Sequence, residues 1–362
     1  MIVYYIVFLI SSFFLYVGER KTDNSKSAKI LWALAGIIPA LLAGVRAESV
    51  GSDTSGYIKL IHDMCSNNVN WKLIIGSYQC EIGYYFINFI VTRITESFQV
   101  FLFIIQLLIL VPVLYACKDN EDLIEPHLSY LFFLMLFYNR SLNMCRQSIA
   151  ISFCMFSVRY IRKQKFSKFA ICIVLAMSIH RIAFVFFALY IMTYFLLKKE
   201  GTFYKFVFLV IAGGLLAFYQ IIINKLMSLG YIGSHYSYYV NGGNQNISSV
   251  ELGIKCLFIT LILLNRKNLC KKNSWNNIFI FFLVLDILVY CLGFYANYAQ
   301  RISYYIGFFE IYLVPQISNC VKKKQRIVTR IILLLIAFAF SYIYYGVNGC
   351  DGTVPYKITN MW

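Results

Sequence analysis

FQVFLFIIQLLILVPVLYA, residues 98–116, decides the architecture: nineteen residues in a row carry no acid, lysine or arginine. At 1.5 Å per residue such a helix is roughly 30 Å long, the thickness of a bilayer's hydrocarbon core. Apolar runs of this kind recur at residues 2–17, 28–45, 128–141, 147–160, 169–197, 206–223, 253–264, 277–293, 302–318 and 331–346. The run at 169–197 is long enough for two short or bent crossings. With 60% hydrophobic and only 14% charged residues, the chain carries more apolar surface than one soluble core can hide. The expected fold is an all-α, polytopic helix bundle with about twelve transmembrane helices, residues 1–362 forming a single integral membrane domain.

A net charge of +17 raises the question of a polyanionic partner. Of the 33 lysines and arginines, 21 fall in five short clusters at residues 19–29, 159–168, 198–205, 265–272 and 322–330. That is the positive-inside pattern of cytoplasmic loops, so the charge reports topology and not nucleic acid. The first apolar run lacks a preceding basic residue and a small-residue cleavage site, and reads as a retained helix with its N-terminus outside. Carried along the chain, this orientation makes residues 46–81 the first outer loop and 224–252 the second. An odd number of crossings must separate Glu81 from Arg159, yet four apolar pieces lie between them. A re-entrant or interfacial helix at 82–96 resolves the parity and leaves Lys118–His127 cytoplasmic, with Arg140 and Arg146 outside beside Arg46; one interrupted span over 128–160 is the alternative.

The stretch GVRAESVGSDTSGY, residues 44–57, sets Arg46 directly after an apolar run and follows it with a Gly-Ser-Asp turn. An arginine at that boundary is costly unless paired, solvated or functional. The topology gathers further polar groups on the same side: Asp53, Tyr57, Glu81, Tyr84, Tyr85, Arg146 with Gln147, His180 with Arg181, and Arg301 with Tyr304 and Tyr305. Guanidinium groups select phosphate geometry through paired hydrogen bonds. Snorkelling arginines and an interfacial tyrosine belt explain the same residues one at a time. There is no phosphate-cradling lysine loop, no Cys-x-x-Cys, no paired histidines at helical spacing and no Gly-x-Ser-x-Gly elbow, which argues against nucleotide hydrolysis and a built-in zinc site. Cys65 and Cys80 share the first outer loop and are a candidate disulfide in an oxidising compartment.

These elements resemble, in order, the motifs of EpsG-type proteins. Residues 46–57 resemble the family's Arg, Gly-Thr-Asp, Tyr signature with Ser52 for threonine. Glu81-Ile82-Gly83-Tyr84 resembles its Glu-x-Gly-aromatic element, Arg146-Gln147-Ser148-Ile149-Ala150 its Arg-Gln element, Ser178-Ile179-His180-Arg181-Ile182-Ala183 its histidine element, and Arg301-Ile302-Ser303-Tyr304-Tyr305 its late Arg-x-x-x-Tyr element. Arg181 stands where a lysine is more usual. The resemblance implies a Wzy-like polysaccharide polymerase of the bacterial inner membrane, with its active face extracytoplasmic and a fold like that of multi-pass lipid-linked-sugar glycosyltransferases. Its partners would be a polyprenyl-diphosphate-linked oligosaccharide, the bilayer and a chain-length regulator, with no cofactor and no metal. On that reading Arg46, Arg146 and Arg301 take the diphosphate, His180, Asp53 or Glu81 takes the proton, and Tyr57, Tyr84, Tyr85 and Tyr304 stack on sugar rings. A flippase for the same lipid-linked units and a membrane sugar O-acyltransferase using His180 as base are the competing classes.

Overall fold

A computed structural model describes residues 1–21, 25–77, 80–198, 201–218, 221, 224–225, 228–229, 247–294 and 299–359, with the side chains of 77, 201, 216 and 217 excepted. The regular structure among them is helical, apart from one isolated bridge pairing Arg46 with Ile358. Most of the second expected outer loop, at 230–246, lies outside the described residues, as do 295–298.

The helices follow the apolar runs: α1 Ile2–Glu19, α2 Lys26–Gly44, α3 Lys59–Ser66, α4 Trp71–Ser77, α5 Ile82–Ile94, α6 Phe98–Asp119, α7 Pro126–Asn143, α8 Cys145–Arg162 and α9 Phe166–Ile179. Ser25 caps α2 by accepting from the Ala28 amide at 3.1 Å, and Pro126 opens α7, where its missing N–H costs nothing. By length and composition, Ile2–Glu19, Lys26–Gly44, Phe98–Asp119, Trp275–Phe294 and Lys323–Val347 are long and apolar enough to cross a membrane. Ile82–Ile94, Phe166–Ile179, Arg181–Leu196 and Thr202–Leu215 are shorter apolar helices. The chain is a helical membrane protein.

Contacts divide it into two compact units, residues 1–184 with 328–362, and residues 185–327. In the first unit, ion pairs collect one end of the bundle. Glu19 meets the His127 ring at 2.8 Å, Arg159 pairs with Asp119, Arg162 with Asp122 at 2.5 Å, and Arg330 with Glu125 at 2.6 Å. Residues 118–127 therefore share an end with the basic clusters at 19–29 and 159–168 and with Arg330. At the other end, Arg46 reaches the Leu142 carbonyl, Tyr4 the Thr353 carbonyl and Asn143 the Asp351 carboxylate. Helices α7 and α8 thus run antiparallel between the two ends, broken at Met144, and do not form one interrupted span. Helix α5 has 13 residues, about 20 Å, too short to span alone; it packs on α3 and α9.

Two glycines set the loop geometry. Gly51 holds φ +95°, a left-handed value that a side chain would strain, and so allows the Gly-Ser-Asp turn. At Gly83 an added Cβ would meet the Ser178 hydroxyl and lie 2.7 Å from the Ser178 carbonyl oxygen, so α5 and α9 approach through the missing side chain. Gly83→Ala is expected to lower stability by about 1–3 kcal/mol, as overpacking does. Because the second clash is with backbone, adding Ser178→Ala should not restore it. A melting temperature equal to wild type in Gly83→Ala would show that the two helices are not in close contact.

The second unit contains Val185–Leu196, Gly201–Ala217, Ser249–Leu264, Arg266–Lys272 and Trp275–Tyr290, then shorter turns through Tyr304–Gly307 and Glu310–Gln316. The apolar run 169–197 is split at His180, which leaves α9 in extended geometry (φ −152°, ψ 112°) before a 3-10 turn at Arg181–Phe184.

Candidate active site

Four of the sequence motifs meet around the Arg146 guanidinium in the first unit. Its Nη1 donates to Glu81 Oε2 at 2.5 Å, and its Cζ lies 4.3 Å from the Tyr57 ring centroid and 5.9 Å from that of Tyr84. The two tyrosine rings stack at 6.4 Å with 20° between their planes. The other Glu81 oxygen accepts from the Arg181 amide at 3.4 Å, next in the chain to His180. The side chains of Arg146 and Glu81 are 25% and 12% exposed, so the pair is accessible but mostly desolvated. Tyr84 is fully buried, and its hydroxyl has no hydrogen-bond partner among the described residues. Burial pushes the Tyr57 phenol up although Arg146 pulls it down, so Tyr57 stays a neutral donor at physiological pH.

Each side chain is placed by a separate element. A single π-helical turn, Thr54–Ile58, presents Tyr57; Glu81 precedes the first turn of α5, Tyr84 follows within it, and Arg146 sits in the first turn of α8. The loop before Tyr57 is fixed by Asn143, whose Oδ1 accepts from the Ser52 hydroxyl at 3.1 Å and the Asp53 amide at 2.7 Å. Asp53 thereby joins the site's framework through its backbone, at the foot of the π turn.

Arg46 occupies a different setting. It is 1% exposed, and its Nη2 donates to the Leu142 carbonyl at 2.8 Å, where the negative end of the α7 dipole lies. The tail covers it: the Ala47 amide donates to Lys357 at 2.8 Å and the Thr359 amide to Val45 at 3.0 Å. The same tail clasps the Gly-Ser-Asp turn, with Gly51 donating to Gly352 at 2.8 Å and Ser52 to Asp351 at 3.2 Å. Asp351 also lies 3.7 Å from the buried Arg140. The sequence reading missed this clasp. The turn-forming run Asn348-Gly349-Cys350-Asp351-Gly352 was the available signal.

Tyr85 points away from Arg146 and lines a separate cleft with Cys65 and Arg93. Cys65 and Cys80 are both buried free thiols, so the disulfide considered for the outer loop is not formed. Burial raises both, Cys65 to about 12 and Cys80 to about 11, with Arg146 opposing the shift at Cys80. They are protonated near neutral pH and unreactive by comparison with an exposed thiol.

Arg301 and Tyr304 belong to the second unit. Arg301 lies in the 3-10 turn Ala299–Ile302. Tyr304 is 6% exposed and donates to Glu251 Oε2 at 3.4 Å; Tyr290 donates to the same oxygen at 3.2 Å. Nearby, Lys255 Nζ and Asp286 Oδ2 are 2.5 Å apart, with side chains 4% and 1% exposed, and Glu251 and Glu310 act on Lys255 electrostatically. The sequence reading passed over these four residues. Ionisable groups inside the runs 253–264, 277–293 and 302–318, or at their edges, were the signal. Among the described residues no three His, Cys, Asp or Glu side chains are grouped to hold a metal ion.

The EpsG family model matches residues 29–358, nearly the whole chain and all five motifs. The chain belongs to the EpsG family. No curated protein and no solved structure matches it significantly. For this EpsG-family protein, the motifs at Tyr57, Glu81, Arg146 and Arg181 are therefore one three-dimensional cluster, contributed by the first unit.

Proposed function

We propose that this EpsG-family protein is a polysaccharide polymerase that transfers a growing glycan from polyprenyl diphosphate to a sugar hydroxyl of a lipid-linked repeat unit. The observation that carries the reading is the convergence of motifs distant in sequence around Arg146, beside two stacked tyrosines. In the reaction the acceptor oxygen bonds to the donor's anomeric carbon, the bond from that carbon to the diphosphate oxygen breaks, and the diphosphate leaves with the electron pair. The hydroxyl proton passes to a base. Arg146 offers fixed positive charge where the leaving group gains negative charge, an effect that supplies several kcal/mol in preorganised sites.

Glu81, already bonded to the guanidinium, serves to aim it, and His180 is the proton acceptor, since an imidazole titrates nearest the working pH. Arg46 and Asp53 shape the loop that presents Tyr57, with Tyr57 the sugar-facing ring and the fully buried Tyr84 the ring that backs it. Arg301 is assigned to the diphosphate through its motif alone. The basic end of the bundle is taken as cytoplasmic and the Arg146 end as extracytoplasmic in a bacterial inner membrane, with twelve crossings and α5 not spanning.

Deleting the gene in a producing strain and resolving its surface glycans on a gel tests the reading. A single-unit band in place of a ladder is expected. An unchanged ladder would end the proposal; unexported lipid-linked units would indicate a flippase, and altered acyl mass at constant length an acyltransferase.

A further inference from the structure

Helix α5 presents Tyr84 to Arg146 and its neighbour Tyr85 to another place, a cleft of about 590 Å³ walled by α3, α4 and the far side of α5. Trp71, Tyr85 and Phe89 supply its rings, with Tyr85 and Phe89 stacked at 5.9 Å and 29°. Asn70, Lys72 and Arg93 supply its polar edge. Trp71 is 49% exposed and Phe89 37%, so apolar ring surface faces outward between side-chain amides and cations.

The Arg93 guanidinium is already committed. It donates to the Cys65 carbonyl at 3.2 Å and to the Asn68 side chain, and lies 4.9 Å from the centre of the Phe89 ring. It braces the wall, and Lys72 supplies the remaining charge at the rim, 5.7 Å from the Trp71 ring. One cation is a poor match for a diphosphate, which calls for paired guanidinium bonds. Acyl chains would leave Asn70 and Lys72 desolvated without partners. Sugar rings fit both halves of the lining: their C–H faces lie on aromatic rings and their hydroxyl edges bond to amides and ammonium groups.

We infer that this cleft is a carbohydrate-binding subsite that holds sugar rings of the nascent glycan at a distance from the reacting bond. The inference rests on the polymerase reading. A chain held here stays near the Arg146 cluster between additions, because Tyr84 and Tyr85 are consecutive residues of one rigid helix. Loss of the cleft then shortens product without stopping the chemistry.

The test uses the full-length protein in nanodiscs and, as probe, oligosaccharides of one to six repeat units released by mild acid from the strain's own polymer. Trp71→Ala and Tyr85→Ala should weaken binding of the longer oligosaccharides at least tenfold, whereas Trp71→Phe, which keeps a ring and controls for folding, should stay within threefold of wild type. On gels, Trp71→Ala should give a shorter ladder and not a single-unit band. Unchanged binding in Trp71→Ala and Tyr85→Ala overturns the inference. So does glycerol phosphate displacing the oligosaccharides, which would mark a lipid-headgroup site. Binding is measured without turnover, so these results stand apart from the fate of the polymerase reading, which the deletion strain decides.

Discussion

Arg146→Ala is expected to abolish long-chain polymer while the protein still reaches the membrane. The guanidinium is the point at which the Tyr57, Glu81, Tyr84 and Arg181 elements meet, so its loss removes the charge and the hub together. Removing one preorganised stabilising group from a reaction site costs about 2.7–4 kcal/mol, or roughly 100- to 1,000-fold in rate. Arg146→Lys separates charge from shape. A lysine keeps the pairing with Glu81 and therefore the fold, but it loses the planar group that lies 4.3 Å from the Tyr57 ring centre. Polymerisation should fall about tenfold or more in the lysine variant, an energy of the order of a single charge-assisted hydrogen bond. Glu81→Gln should behave similarly, because an amide aims the guanidinium less firmly than a carboxylate does. Wild-type ladders from Arg146→Ala at normal expression would remove Arg146 from the mechanism, and wild-type ladders from Arg146→Lys would remove the planar geometry.

The largest effect on stability is expected at Lys255. Its ammonium lies 2.5 Å from Asp286 in a helix pair where neither side chain is more than 4% exposed. Removing one partner of a buried pair leaves the other uncompensated, and Lys255→Met should destabilise the protein by about 3–5 kcal/mol. The double variant Lys255→Met with Asp286→Leu removes both charges, and should recover at least half of that loss. Thermal unfolding in detergent measures both. If single and double variants unfold together, the energetic burden lies in packing and not in the stranded carboxylate. Polymer length in the double variant then shows whether the pair is scaffold alone: an unaltered ladder is the expected result for scaffold.

The helices and the ends of the bundle were legible because both are written in local composition. Residues 98–116 can only be a long apolar helix, and the basic clusters near 20 and 160 mark one end whatever the packing. Convergence of Glu81, Arg146 and Arg181 was visible only as membership of one side. Its geometry depends on Gly83, whose role is defined by a carbonyl on another helix, information that no single stretch contains. Arg46 shows the limit most clearly. Its sequence context, a cation at a membrane boundary, is the same whether it meets a phosphate or a helix C-terminus, and the difference lies in Leu142, nearly a hundred residues away. The Lys255 and Asp286 pair was missed for another reason: mean hydropathy averages over a single charge, although that charge is the costly residue in the run.

The clasp on the Gly-Ser-Asp turn has a consequence for biosynthesis. Gly51 and Ser52 take their partners from Gly352 and Asp351, three hundred residues later, and Arg46 is covered by the tail segment that follows them. During synthesis the first motif is made early and enters the membrane with α2, but its partners leave the ribosome only after every other helix described here. The loop bearing Tyr57 therefore acquires its final shape only after those helices have been made. Chains that stop before residue 351 lack the closing hydrogen bonds of their own first loop, so they differ from longer ones on the surface where lipid-linked sugar would arrive.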